Sequence, residues 1–272
     1  MAHTRKLGIV AGNGSLPASL IRSCQQMGRP FCVLALKGHA NPDLLPAGIA
    51  VKWVRLGAVG AGFAEMKRQK VQDVVLIGGV RRPSIKELCP DLRGIKFFAK
   101  AGMRALGDDG LLRAVITEIE TEGFKVVGID EIMPSLLACT GTFGKYKPTK
   151  NDRIDIERGI QVAKTLGQVD VGQAVIVQQG LVLSVEGIEG TAALIARTAT
   201  LKRKGEGGVL VKVSKPSQER RVDLPTIGPD TVRSIASAGF KGIAIEAGSV
   251  LVAEAEKTIR LADELGVFVE GV

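Results

Sequence analysis

Aromatic side chains are nearly absent from this chain. They make up 4% of 272 residues, with one Trp and one Tyr, so the stacking surfaces that usually grip unpaired bases are missing. Histidine is as scarce: only His3 and His39 occur. That excludes most imidazole-based acid–base, nucleophilic and metal chemistry and leaves His39 as an ordinary loop residue. GxSxG, HExxH and GxxxxGK[ST] do not occur, which removes the nucleophile elbow, the zincin helix and the P-loop. The four cysteines, Cys24, Cys32, Cys89 and Cys139, form no CxxC pair. They read as reduced, buried thiols of a cytosolic protein rather than a zinc site or disulfide set. No window approaches 18 uninterrupted apolar residues, so no bilayer-spanning helix is expected. The apolar run after the basic amino terminus is too short for a signal peptide.

What is present is glycine, aliphatic residues and positive charge. The 34 glycines sit at the ends of apolar runs, where α/β proteins turn. The net charge of +9 points to an anionic partner. Because the cations are dispersed and aromatics few, a phosphorylated ligand or an anionic lipid surface is favoured over nucleic acid.

Short strands are expected at Leu7–Ala11, Phe31–Leu36, Val51–Arg55, Asp73–Ile77 and Phe124–Ile129, with helices between them, the first capped by Ser15. This alternation predicts an α/β, Rossmann-like, mainly parallel sheet in an amino-terminal domain over 1–133. Parallel sheets bind ligands beyond the carboxyl ends of their strands. Here those ends are Gly12-Asn13-Gly14 and Gly78-Gly79-Val80-Arg81-Arg82-Pro83. The first lacks the third glycine of a dinucleotide fingerprint, since Pro17 stands there, and no acidic residue ends the second strand. A standard NAD site is therefore disfavoured, although the glycine turn could still offer backbone N–H groups to an anion.

A small, polar stretch at 134–150 is expected to link this domain to a carboxyl-terminal α+β domain over 151–272. In the second domain a hairpin is expected around Gln178-Gln179-Gly180, and Val250-Leu251-Val252 is expected to pair with Gly242–Ile245. Its centre is Gly207–Thr231: a valine-rich strand, then a dozen residues of irregular pattern, loaded with charge and bracketed by Pro216, Pro225 and Pro229. A polar loop fixed by proline holds charges still, though a solvated strand-to-helix connection would read similarly. Asp223 lies between Val222 and Leu224 among Lys215, Gln218 and Arg221. A carboxylate there could bind Mg²⁺ on a diphosphate or orient water, with Lys215 and Arg221 neutralising phosphate oxygens. Glu186, Glu189 and Glu246 are further acidic candidates, with helix capping the alternative for Glu189.

Four motifs in order, Gly12–Pro17, Gly78–Pro83, Glu186–Thr191 and Lys215–Pro225, together resemble the UDP-2,3-diacylglucosamine pyrophosphatases of lipid A biosynthesis, in the alphaproteobacterial form without metallophosphoesterase motifs. The resemblance covers nearly the whole chain. It implies Mg²⁺-dependent hydrolysis of a lipid-linked UDP-sugar to UMP and 2,3-diacylglucosamine 1-phosphate. It also implies a ligand cleft between the two domains. The cysteines point to a cytoplasmic location, and the positive charge to peripheral contact with an anionic inner membrane. Asp223 is then the essential metal-binding carboxylate, with Lys215, Gln218 and Arg221 beside it. Gly12, Asn13, Gly14, Gly79, Arg82, Glu186, Glu189, Gly190, Thr191, Lys212, Thr226, Gly228 and Glu246 are implied substrate contacts. The family commonly has Asp where this chain has Ala192 and often Asp where it has Glu219, so no metal role passes to Ala192. A nucleotide-dependent oxidoreductase and a non-catalytic anion-binding protein are the rival readings of the same residues.

Overall fold

A computed structural model describes residues 5–81, 90–101, 108–216 and 218–272. Its contacts divide the chain into two units, Met1–Pro134 with Glu219–Val222, and Ser135–Gln218 with Asp223–Val272. Arg82, Cys89 and the side chains of Asp108 and Asp109 lie outside the described residues.

In the first unit, β1 (Leu7–Ala11), β2 (Phe31–Leu36), β3 (Val51–Val54), β4 (Asp73–Ile77) and β5 (Lys125–Val126) form one sheet in the order β3-β2-β1-β4-β5. Every pairing is parallel. The helices are α1 (Leu16–Gln26), α2 (Val59–Arg68), α3 (Leu92–Ala101), α4 (Asp108–Thr121) and the single turn α5 (Ile129–Ile132). The strands are continuous apolar runs because helices cover both faces. On one face Leu34, Val74 and Val126 pack with Phe63, Met66 and Ile116. Gly8 in β1 leaves room for Val71, whose Cγ1 would lie 2.9 Å from a Cβ there. The last strand is shorter than its pattern suggests, since the chain has turned into α5 by Ile129. Ser15 does stand at the N-cap of α1, but in αR geometry and without a side-chain capping bond. At the opposite end of the sheet, the buried Asp73 takes Arg5 and Arg29, each at 2.8 Å.

The second unit contains β6 (Gly141–Phe143), α6 (Lys150–Gln168), β7 (Ala174–Gln178), β8 (Leu181–Val185), α7 (Gly190–Thr198), β9 (Val209–Lys212), β10 (Thr226–Ile227), α8 (Pro229–Ser237), β11 (Gly242–Ile245), β12 (Leu251–Val252), α9 (Ala255–Leu265) and β13 (Phe268–Gly271). Its main sheet runs β6-β13-β11-β9-β7-β8. Three of the four inner strands, β13, β11 and β9, are parallel; β6, β7 and β8 are antiparallel to their neighbours. The 134–150 stretch, expected to be a linker, thus supplies an edge strand. Val250–Val252 also departs from expectation: β12 pairs with β10 in a separate two-stranded sheet rather than with β11.

Side-chain alternation sorts this sheet into two faces. Val175, Val177, Val209 and Val211 meet Ile156 and Ala163 of α6. Ala174, Ile176 and Leu210 meet Leu194, Val232, Ile235 and Ala262 of α7, α8 and α9. The β7–β8 hairpin turns at Gln179 and Gly180, both with positive φ, as a type I′ turn requires. Buried Asp155 accepts their amides at 3.0 and 2.6 Å. The cysteine expectation holds for buried Cys24, whereas Cys32 is half-buried and Cys139 exposed. Cys139 follows the last residues of the first unit and reaches the surface just before β6 begins.

Gly159 of α6 crosses the sheet where no side chain fits: a Cβ would lie 2.4 Å from Cγ2 and 2.8 Å from Cβ of fully buried Val211. Gly159→Ala gains ~1 kcal/mol of helix propensity against an overpacking cost of ~1–3 kcal/mol. With Val211 immobile in the central strand, the balance is expected to be negative. A lower melting temperature than the parent is the expected result; an unchanged or higher one would refute this packing.

Candidate active site

The two glycine loops of the first unit lie at adjacent strands, β1 and β4, where the strand order reverses. Asn13 and Gly79 form an isolated antiparallel bridge, with Asn13 N–H to Gly79 O at 2.8 Å and Gly79 N–H to Asn13 O at 2.9 Å. The glycines are needed for this approach. A Cβ on Gly12 would meet the carbonyl oxygens of Gly79 and Gly78 at 2.5 and 2.8 Å, and Gly78 has φ +92. Four amides of these loops are committed within the fold. Gly12 N–H goes to Ile77 O at 2.8 Å, Gly14 N–H to Asn13 Oδ1 at 2.8 Å, and Asn13 and Gly79 satisfy each other. Pro17 removes one further donor at the start of α1.

The second unit gathers a denser group at one end of its main sheet. The parallel strands β9 and β11 end there, and because β7 runs opposite to β9, Ala174 faces Lys212. Gln173 is therefore at the same end, as are Glu186 after β8 and Thr191 in the first turn of α7. Lys212 shares the side-chain parity of Leu210 and so turns toward α7. Its Nζ donates to Thr191 Oγ1 at 2.9 Å and to the carbonyl oxygen of Thr226 at 3.0 Å. The Thr191 hydroxyl in turn donates to Glu186 Oε1 at 2.6 Å, and Glu186 Oε2 accepts Gln173 N–H at 3.2 Å. Lys212 is 7% exposed and Glu186 6%. Burial pushes the Lys212 ammonium below its ordinary value, while the charges of Glu186 and Asp223 act on it in the opposite direction.

Asp223 joins this group through Gln218. The Gln218 amide donates to Asp223 Oδ2 at 2.6 Å and to Gln173 Oε1 at 3.2 Å, and its own oxygen accepts Lys215 N–H at 3.1 Å. Asp223 is half-buried, and its Oδ1 has no hydrogen-bond partner among the described residues. One carboxylate oxygen is thus pinned and the other left for a ligand.

Several expected contacts sit elsewhere. Lys215 Nζ is 2.6 Å from Asp170. Arg221 is held by Glu219 at 2.9 Å and Glu120 at 2.8 Å, within the first unit. The two cations expected to neutralise phosphate beside Asp223 are therefore already paired with carboxylates. Glu189 is exposed and bound to Arg197 at 2.7 Å, which holds its carboxyl below the ordinary range. Gly190 has φ +79 where the chain enters α7, and Gly228 is the N-cap of α8. Thr226 contributes its backbone carbonyl to Lys212. Glu246, at the end of β11, accepts Ser214 N–H and Oγ–H at 2.8 and 2.7 Å and pairs with Lys164. Gln173 was not foreseen: a lone Gln before an apolar strand has no signal until the pairing of β7 with β9 is known.

The Mg²⁺ implied by the family resemblance can be tested against these donors. Among the described residues no group of three or more His, Cys, Asp or Glu side chains could hold a metal by itself. Mg²⁺ needs no such cage; one carboxylate plus phosphate oxygens and waters suffices. Lys212, Glu186 and Asp223 together carry one net negative charge, which would repel a diphosphate unless a divalent cation accompanied it. The free oxygen of Asp223 fits that arrangement.

Comparison with known proteins covers both units. Family models described as the LpxI N-terminal domain and the LpxI C-terminal domain match residues 6–136 and 139–270. The UDP-2,3-diacylglucosamine pyrophosphatase LpxI of Caulobacter vibrioides is 42% identical over 277 residues, spanning 98% of this chain and 98% of that protein. Among the described residues no helix is long and apolar enough to cross a membrane.

Glu246 gives a pH-dependent test of this end of the sheet. Burial pushes its carboxyl up, but the bonds from Lys164 and Ser214 outweigh burial and hold it below the ordinary value. A depressed carboxyl contributes stability that is fully present above the unfolded value of ~4.3 and is lost as pH falls through the lower folded one. The parent should therefore melt above Glu246→Gln at pH 7, with the gap narrowing below about pH 4.3. A gap that widened with acidification would contradict the pairing.

Proposed function

Because the chain belongs to the LpxI family, we propose that it hydrolyses the pyrophosphate bond of UDP-2,3-diacylglucosamine, yielding UMP and 2,3-diacylglucosamine 1-phosphate, with Mg²⁺ required. The observation that carries this reading is the half-free Asp223 beside a buried lysine, in a chain matched along both units by the family. A relative bearing that activity in its name supports the substrate.

In this reaction the water oxygen forms a new P–O bond as the bridging P–O bond breaks; one of the water's protons stays on the oxygen it adds, the other goes to the leaving phosphate, and the two phosphates leave separately. Asp223 Oδ1 accepts a hydrogen bond from the attacking water and orients it. Gln218 keeps the carboxylate in place through Oδ2, and Gln173 keeps Gln218 in place. Asp223 would hold Mg²⁺, which would supply charge neutralisation on the diphosphate. Glu186 and Thr191 act on the Lys212 side, fixing the ammonium. The net charge of +9 supports peripheral contact with an anionic membrane surface, where a diacylated substrate resides.

The test is UMP release from UDP-2,3-diacylglucosamine with and without Mg²⁺, with a non-acylated UDP-sugar as control. Asp223→Asn keeps the shape and the Gln218 neighbour but removes the charge. It should lower kcat by ~10²–10³ with little change in melting temperature. Parental turnover in that variant, or no UMP from the parent, would overturn the proposal.

A further inference from the structure

Lys212 is buried, yet neither nearby carboxylate forms an ion pair with it. Its Nζ has three protons; two are taken by Thr191 and Thr226, and the third has no partner among the described residues. A buried ammonium without a direct counter-ion is costly. The usual remedy, contact with Glu186, is not made: that carboxylate accepts Thr191 Oγ1–H and Gln173 N–H instead. Lys215, Arg220 and Arg221, the cations closest to Asp223 in sequence, are held by Asp170, by Asp130, and by Glu219 and Glu120. In the cluster that contains Asp223, the cation that no carboxylate pairs with among the described residues is therefore Lys212.

We propose that Lys212 is a catalytic residue, donating its third N–H to a non-bridging oxygen of the substrate diphosphate and stabilising the charge that develops there. This rests on the function proposed above. It replaces Lys215 and Arg221 in the role that sequence order suggests for them. Lys212 moves no proton: it donates a hydrogen bond that strengthens as negative charge gathers on the oxygen, while water and the leaving phosphate exchange the P–O bond. Thr191 and Thr226 keep the ammonium from swinging, so the donor is in place before the substrate arrives. Glu186 is a positioning residue, acting on Lys212 through Thr191.

Two measurements separate this from a purely structural lysine. In Lys212→Met, kcat is expected to fall ~10²–10³, and in Lys212→Ala ethylammonium should restore turnover saturably where sodium at equal ionic strength does not. A folded Lys212→Met enzyme with kcat within about threefold of the parent, a change too small for a lost transition-state donor, would overturn the assignment. The second measurement needs no active enzyme, and only a folded Lys212→Arg variant to assign one resonance. In the parent, ¹⁵N-labelled on lysine, the ammonium resonance that a Lys212→Arg substitution removes should shift on adding Mg²⁺ with the methylene-bridged analogue of UDP-2,3-diacylglucosamine. Binding of that analogue without a shift would overturn the proposal even if Lys212→Met failed to fold. Hydrolysis by the parent with no Lys212 effect would refute this inference alone, whereas absence of hydrolysis would refute the function proposed above.

Discussion

The second unit is arranged around a buried positive charge. An ammonium in an apolar sheet is unfavourable unless it is hydrogen-bonded and its charge is balanced. Lys212 is bonded by Thr191 and by the Thr226 carbonyl, and balanced only through space by Glu186 and Asp223. Each of these partners comes from a different segment: the turn after β8, the start of α7, the strand β10 and the loop after β9. The lysine therefore ties together the parts of the chain that a phosphorylated ligand would meet. A hydrophobic residue at 212 would pack more cheaply, which is why its presence speaks for chemistry.

Strand direction explains how these segments reach one place. If β7 ran parallel to β9, its start would lie at the far end of the sheet and Gln173 could not hold Gln218. The antiparallel hairpin β7–β8 instead brings both its free ends to the carboxyl end of β9. Asp155 secures the other end of that hairpin by accepting two turn amides. The parallel core β9-β11-β13 keeps the usual rule that loops beyond strand carboxyl ends carry function, while the hairpin adds a wall to it.

The first unit uses its glycines differently. Close approach of Gly12 to Gly78 and Gly79 closes the reversal point of the sheet with backbone hydrogen bonds. The same donors cannot then serve an anion. A glycine-rich turn after a first strand is ambiguous in sequence for this reason: it permits either a ligand or another loop to come near, and only the fold says which.

The sequence by itself determined the alternation of apolar strands and helices in the first unit, the polar segment bracketed by prolines, and Asp223 within it. These are local: periodicity and turn chemistry act over a few residues. Parity along Val209–Lys212 even implied which way Lys212 points, once Leu210 is taken as buried. Tertiary structure alone decided that Lys215 and Arg221 are paired with Asp170, Glu219 and Glu120, that β12 joins β10, and that Gln173 supports Gln218. Such choices depend on which of many carboxylates or strand edges comes within reach, and that is set by contacts between residues far apart in the chain, where no short-range pattern records it.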